Sequence, residues 1–489
     1  MGEAEGNHLL GKFWLADQPE RQLTGWLDLS GARPKVTLNG QLTPAVVWTP
    51  SPDGAGAHGH PADDTFSDGG LTIHGLLAEG ARRAVTVFDA ITRSRRYDMM
   101  AVNDDSDGVH VLQGTWLARG AHLDDNEEIL SARIRFTNLD EWIGQSGVTG
   151  KVIYSPHNHV HLDYVEPHPE AVPIPAIGGT VGTQFATIPP RIEFNGAEVR
   201  HKAWIQFKDV SLPSFAELLH RLVSPTLTLA SVMMRKKCVL TELSILTGKD
   251  ELSCEVSHPL VDSAAKDEGL KPGNRSLGLR DVGIGVVAEW IAKSDDFNPI
   301  PNIIYSTFGN DRARTLESEL LELAAAAEGF DRRRFGEEAV FDRVLAKSAR
   351  RAAIQAAKEA AGEELAERLG RALANFNSLA YAERLRRLLQ LTHSAVPEAA
   401  GNWDIWIKRV KEARNGYAHQ LERGETQWEV ELVLVESLRW ILGAAILLES
   451  GVSAGSIADN LKNSQDYIFF KRKSRALAPQ IYGTREGPE

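Results

Sequence analysis

The chain has 489 residues, of which 43% are hydrophobic and 25% charged, with two cysteines and a net charge of −12. That length implies two or three domains, and Cys238 and Cys254 are too few for a disulfide framework or a cysteine-based zinc site. The charge is unevenly spread: from Tyr305 onward 27 Lys and Arg balance 27 Asp and Glu, so the 27 basic and 39 acidic groups before it hold all the net acidity. Neither half is a basic nucleic-acid clamp, and any nucleic-acid contact must be local.

The opening "MGEAEGNHLLGKFWLADQPE" has no basic stretch followed by an apolar run, so no signal peptide is expected. The longest apolar run, "LRWILGAAILLESG", is one core helix long, short of a membrane span. A reducing cytoplasmic location without a membrane partner is the expectation.

Up to about residue 205, short alternating runs such as "TGWLDLS", "AVTVFDAIT", "SARIRFTNL" and "KAWIQFK" recur between Gly, Asp, Asn and Pro. That rhythm predicts an antiparallel sandwich or barrel. "SPDGAGAHGHPADDTFSDGG" (51–70) reads as a mobile loop, and "NDDSDG" (103–108) as a solvated turn too short for an EF-hand. "YSPHNHVHLDY" sets His157, His159 and His161 at alternating positions. On a strand they share one face, a spacing that can hold a metal. With no further ligand from elsewhere in the chain in view, a polar surface is the better reading.

"LPSFAELLHRLVSPTLTLASVMM" (212–234) has helical spacing interrupted by Pro225; "CVLTELSILTG" and "ELSCEVSHPL" then read as strands, and "GIGVVAEWIAKSDDF" as a short helix. The glycines of "SLGLRDVGIGVV" (276–287) lack dinucleotide-binding spacing. From about Asn302 the chain is helical, with candidate helices at 312–328, 337–374, 379–392, 402–414, 426–449 and 454–466. The predicted class is multidomain α+β. A β-sandwich-like N-terminal domain (1–205) is followed by a mixed α+β connecting region (206–301) and an all-helical bundle (302–489).

Within "KEARNGYAHQLERGE" (411–425), Arg414 and His419 stand five apart with Asn415, Gly416 and Tyr417 between them. One reading is a helix end capped at Asn415–Gly416, with Arg414 as a favourable cation near the negative pole. The other is a catalytic pair. Residues five apart differ by about 140° in azimuth, and Gly416 would permit the joint that brings them together. Arg supplies a planar cation matched to phosphate oxygens, and His an acid or base near neutral pH. Together they suit transesterification of RNA without a metal or other cofactor.

"EARNGYAHQ" resembles the R-N-x-x-x-H motif of the HEPN ribonuclease superfamily. "GKFWLADQPERQLTGWLDLSG", "GTWLARGAHLDDNEEILSARIRFTNLDEWIG" and "FAELLHRLVSPTLTLAS" resemble the N-terminal region of ApeA-type HEPN proteins. The resemblance covers most of the chain. It implies an all-α HEPN bundle and a role in bacterial anti-phage, abortive-infection defence. It also implies RNA cleavage by Arg414 and His419, with Asn415 orienting the histidine or contacting phosphate. Pairing of two protomers through the helical domain, a phage-derived trigger and transfer RNA as a candidate substrate come with the family. Silencing by nucleotidylation of a tyrosine two residues past the histidine is not supported, because Leu421 stands there.

Tyr417, inside the motif, and the basic run "FFKRKSR", with Lys471, Arg472, Lys473 and Arg475 on an expected solvated tail, are further RNA-contact candidates. Glu317, Glu319 and Glu322 on the first helix of the bundle read as a solvated face, and a polar residue of that helix could brace Arg414 without the sequence singling one out. Two other classes stay open at this stage. One is a non-catalytic HEPN module that binds RNA or nucleotides; the other is a ligand-binding β-domain oligomerised by its helices.

Overall fold

The computed structural model describes residues 7–43, 46–51, 57–61, 70–96, 108–124, 126–154, 159–248, 253–267, 276–309, 314–336, 338–419 and 428–483. The chain forms two compact units, Met1–Leu227 with Cys238–Gly269, and Thr228–Lys237 with Leu270–Glu489.

Among the described residues, the first unit holds seventeen strands. They are β1 (His8–Leu15), β2 (Leu23–Asp28), β3 (Lys35–Asn39), β4 (Val46–Pro50), β5 (Ala57–Pro61), β6 (Leu71–Leu77), β7 (Ala84–Arg96), β8 (Val109–Gln113) and β9 (Trp116–Arg119). The others are β10 (Ile129–Phe136), β11 (Val148–Ile153), β12 (His159–Tyr164), β13 (Ala171–Pro173), β14 (Thr180–Glu193), β15 (Gly196–Lys208), β16 (Leu240–Thr247) and β17 (Cys254–Ser257). Thirteen join in one sheet of order β13-β14-β15-β10-β16-β17-β9-β7-β6-β1-β2-β3-β8. Of the two closures the alternation allowed, the barrel is the one formed. The long strand β7 pairs with β6 and β9 through its first half and with β8 through its second, which closes β7-β6-β1-β2-β3-β8 on itself.

Alternation along these strands explains the filling of the barrel. Leu27 is buried where its neighbour Trp26 is exposed, and Val36 and Leu38 point inward with Phe13, Ile73, Val85, Val87 and Leu112. Gly75 is required by closeness rather than by backbone angle, since a Cβ there would lie 2.6 Å from the Phe13 ring. Of the expected mobile loop, residues 57–61 form β5 and pair with β4 as a hairpin. Most of the remainder, and residues 103–107 of the acidic turn, lie outside the described residues.

The interruption expected at Pro225 is a single π-helical turn, Leu219–Val223, followed by renewed α-helix over Ser224–Met234. The helices of the second unit include Leu316–Phe335, Tyr381–Thr392, Trp403–His419, Trp428–Glu449 and Gln465–Leu477. The single helix expected over 337–374 is instead two, Arg343–Ala361 and Glu363–Ala372. Gly362 separates them at φ 84°, a left-handed conformation that helix-former composition does not reveal. Both cysteines are buried and neither forms a disulfide. Among the described residues, no helix is long and apolar enough to cross a membrane.

One polar network sits within the β-rich unit. His110 of β8 has no exposed surface; its Nδ1 accepts from Leu42 N–H at 3.3 Å, and Nε2 lies 3.0 Å from the Thr92 hydroxyl. Burial, then the nearby charge of Arg95, pushes its pKa down to about 4. The unfolded chain therefore binds a proton near pH 6.5 that the folded chain refuses until about pH 4. The stability due to neutral His110 is fully present above pH 6.5 and is lost as pH falls toward 4, on the order of 3 kcal/mol in all. Hydrogen exchange of β8 amides between pH 7 and 4.5 should show this loss. A His110→Asn chain, which cannot titrate there, should show a flatter dependence, and equal slopes would refute the assignment.

Candidate active site

The motif lies on the Trp403–His419 helix. Trp406, Ile407, Val410, Ala413 and Tyr417 form its buried stripe at the three- and four-residue spacing of an amphipathic helix. Trp406 anchors it, donating from Nε1 to Ser437 Oγ at 2.8 Å, while Ser437 Oγ donates to the Ala399 carbonyl at 2.6 Å. Tyr417 is buried too, with its hydroxyl hydrogen-bonded to Glu431 on the Trp428–Glu449 helix. Its ring therefore belongs to the packing between helices and is not offered to solvent for stacking on bases.

The helix does not end at Asn415–Gly416. It runs unbroken through Gly416 to His419, so neither the expected cap nor the expected joint is formed. The physical reason is the stripe itself: burying Tyr417 one turn beyond Ala413 requires helical backbone through Gly416, and that burial outweighs the low helix propensity of glycine. Positions 414 and 419 are thus separated by about 140° of azimuth and roughly 7.5 Å along the axis. His419 is the last described residue of the helix, and its side chain and residues 420–427 lie outside the described residues, Leu421 among them.

Arg414 stands at the edge of the stripe, about one third of its side chain exposed. Its Nη2 meets Glu328 Oε2 at 2.7 Å, and its guanidinium lies 4.6 Å from the centre of the Tyr381 ring. Glu328, on the Leu316–Phe335 helix, also accepts from Arg332 at 3.0 Å, one turn on. Tyr381, which begins its own helix, donates its hydroxyl to the Ala324 carbonyl at 3.0 Å. Burial drives the phenol pKa far above its ordinary value; the Arg414 cation opposes that shift and the Glu328 carboxylate adds to it. Tyr381 is therefore a neutral, fixed platform. A carboxylate and a ring face together hold one edge of the guanidinium and leave the rest of the fork toward solvent, where Asn415 is also exposed.

Glu328 and Tyr381 were not singled out from sequence. Glu319 and Glu322 serve elsewhere, Glu319 with Arg439 and Glu322 with Arg314 at 3.1 Å. The available signal was the lone acid in "AAAAEGF", at the border of the apolar stripe made by Leu320, Leu323, Ala324 and Ala327. One turn further, Asp331 is fully buried between Arg384, at 3.0 Å, and Arg387, at 2.6 Å.

The basic run is not a tail. It lies on the Gln465–Leu477 helix, where Lys471 and Arg475 pair with Glu398, at 3.4 and 2.6 Å, and Lys473 pairs with Glu436 at 2.6 Å. Apolar Tyr467 and Phe470 carry that helix into the core. Arg472 is exposed. In the other unit, His159 and His161 sit exposed on β12, with His161 3.1 Å from Asp163, and His157 falls outside the described residues. Among the described residues, no group of three or more His, Cys, Asp or Glu is arranged to hold a metal ion.

Two family models match the chain. The model for ApeA N-terminal domain 1 covers residues 8–268, more than half of the chain, and the model for Apea-like HEPN covers 321–456. The second match takes in Glu328, Tyr381 and the whole motif. No curated protein and no solved structure matches.

Burial separates the two acids of the Leu316–Phe335 helix. Asp331→Ala strands two cations, one with only 1% of its side chain exposed, and should cost about 3–5 kcal/mol. Glu328→Ala frees partly exposed arginines and should cost about 1 kcal/mol or less. Hydrogen exchange of that helix reads both, and equal losses would contradict the burial argument.

Proposed function

The chain belongs to the ApeA family of HEPN-domain proteins, and on that premise we propose that it is a metal-independent endoribonuclease of an anti-phage, abortive-infection defence system. The observation that carries the reading is Arg414: a cation held by Glu328 and Tyr381 on a rigid helix, with part of its fork open, inside the segment matched to Apea-like HEPN.

In this reading the 2′-hydroxyl of RNA attacks the adjacent phosphorus, forming the 2′-O–P bond as the P–O5′ bond breaks. One imidazole takes the 2′-hydroxyl proton, and an acid returns a proton to the departing 5′-oxygen. Arg414 stabilises the charge that grows on the non-bridging oxygens, and His419 serves as base or acid. Exposed Asn415 contacts the phosphate or orients the histidine. The products carry 2′,3′-cyclic phosphate and 5′-hydroxyl ends.

The continuous helix supports a composite site. Positions 414 and 419 are turned about 140° apart along the helix backbone, and a separate acid and base are met by two histidines. A homodimer or higher oligomer formed through the helical domain, with two motifs facing one cleft, supplies both. Transfer RNA is the candidate substrate, the β-rich region (1–205) with its α+β extension (206–301) the sensing part for a phage-derived trigger, and the cytoplasm the site of action. Of the basic residues on the Gln465–Leu477 helix, exposed Arg472 is the better placed to reach RNA, because its neighbours already face carboxylates.

The test is cleavage of bulk cellular RNA in EDTA, with and without infected-cell extract, followed by end-group analysis. Arg414→Ala and His419→Ala should each lower the rate by about a hundredfold or more. Cleavage that survives in both variants would remove the site, and RNA binding without cleavage under either condition would leave a binding module.

A further inference from the structure

The β-rich unit contains an open cavity of about 860 Å³. Its floor follows from strand register. Arg133 of β10 stands opposite Gln206 of β15 and Ser244 of β16, and Ser244 stands opposite Glu255 of β17. Cross-strand partners share a face, and Trp204 and Glu242, two positions along their strands, share it too. A row of polar side chains therefore faces the cavity where an apolar face would ordinarily be covered.

The acids of this face are already matched. Glu242 accepts from Lys202 at 2.8 Å and from the Trp204 indole at 3.1 Å. Glu255 pairs with Arg82 at 2.8 Å, and Asp262 accepts two backbone N–H groups at 3.0 and 3.1 Å. Arg133 differs. Its guanidinium lies 4.9 Å from the centre of the Trp204 ring, yet it has no hydrogen bond or ion pair with any described residue, and its buried Nε lacks a partner. Burial without a partner carries a desolvation cost at Nε alone, while the terminal donors of the fork have no protein acceptor to compete with a ligand in the cavity. Beside it in the lining, His258 Nδ1 accepts from Leu260 N–H at 3.0 Å, so the neutral ring presents an Nε2–H donor. Burial and then Arg33 lower the pKa of that imidazole and favour the neutral form.

We propose that this cavity binds a small polar molecule through an oxyanion, with the Arg133 guanidinium, steadied on Trp204, as the group that takes its charge. Ser244 and His258 supply neutral donors around it. A guanidinium fork fits a phosphate and a carboxylate equally in hydrogen-bond count, so inorganic phosphate and acetate are the two probes. This proposal is independent of the nuclease reading and is tested without any cleavage assay.

Isothermal titration of each probe into the full chain should show saturable binding of at least one. Arg133→Met, which keeps an apolar stem over Trp204 and removes only charge and donors, should weaken that binding tenfold or more with an unchanged thermal melt. A second measurement needs no variant: phenylglyoxal labelling of Arg133, followed by peptide mass spectrometry, should slow at least threefold in the presence of the bound probe. No binding of either probe, equal affinity in the variant, or labelling indifferent to the probe would each overturn the proposal.

Discussion

The buried carboxylate of Asp331 sets the geometry on which Arg414 depends. It joins the Leu316–Phe335 and Tyr381–Thr392 helices through Arg384 and Arg387, with no exposure of its own. Glu328 lies three residues before Asp331 on one helix, and Tyr381 three residues before Arg384 on the other. The register that satisfies the buried charge therefore also delivers a carboxylate and a ring face to the same guanidinium. A slip of either helix would strand a cation in the interior, at a cost of several kcal/mol, before it disturbed the surface pair. Pre-organisation of Arg414 thus has its source one helical turn deeper than the residues that touch it.

The arginines described above fall into three physical situations. Arg384, Arg387 and Arg439 are structural: their partners are acids on neighbouring helices, and their charge is spent on packing. Arg414 is intermediate, held at one edge and open at the other. Arg133 carries the pattern furthest, with an aromatic support and no acid at all. The ratio of support to neutralisation distinguishes these roles better than burial alone.

Periodicity made the outline of the protein legible. Alternation with turn residues announced the antiparallel strands, and three- and four-residue spacing announced the helices, because both report which faces exclude water. What escaped depended on partners distant in sequence. Barrel closure rests on β7 pairing with β6 through its first half and with β8 through its second, which no local pattern encodes. Gly416 and Gly362 look alike as text, yet one continues a helix and the other breaks it. The difference lies in whether a buried residue such as Tyr417 holds the following turn. "FFKRKSR" looked like a solvated tail because its four cations dominate, whereas Tyr467 and Phe470 decide its structure. The motif itself was legible as text, but the identity of the acid beside it depended on how three helices meet.

The path of the chain between the two units bears on inheritance. Thr228–Lys237 belong with the helical unit, while Cys238–Gly269 return to the β-rich one. Within the helical unit, Arg235 of that short segment lies 3.8 Å from the centre of the Trp440 ring and 5.3 Å from that of Phe308. The two units are therefore interleaved along the gene rather than placed end to end. A single genetic crossover near codon 270 would carry ten residues of the helical unit with the β-rich one. Exchange of the β-rich unit between relatives would then have to respect the match around Trp440, so the two units are expected to diversify together rather than as interchangeable cassettes.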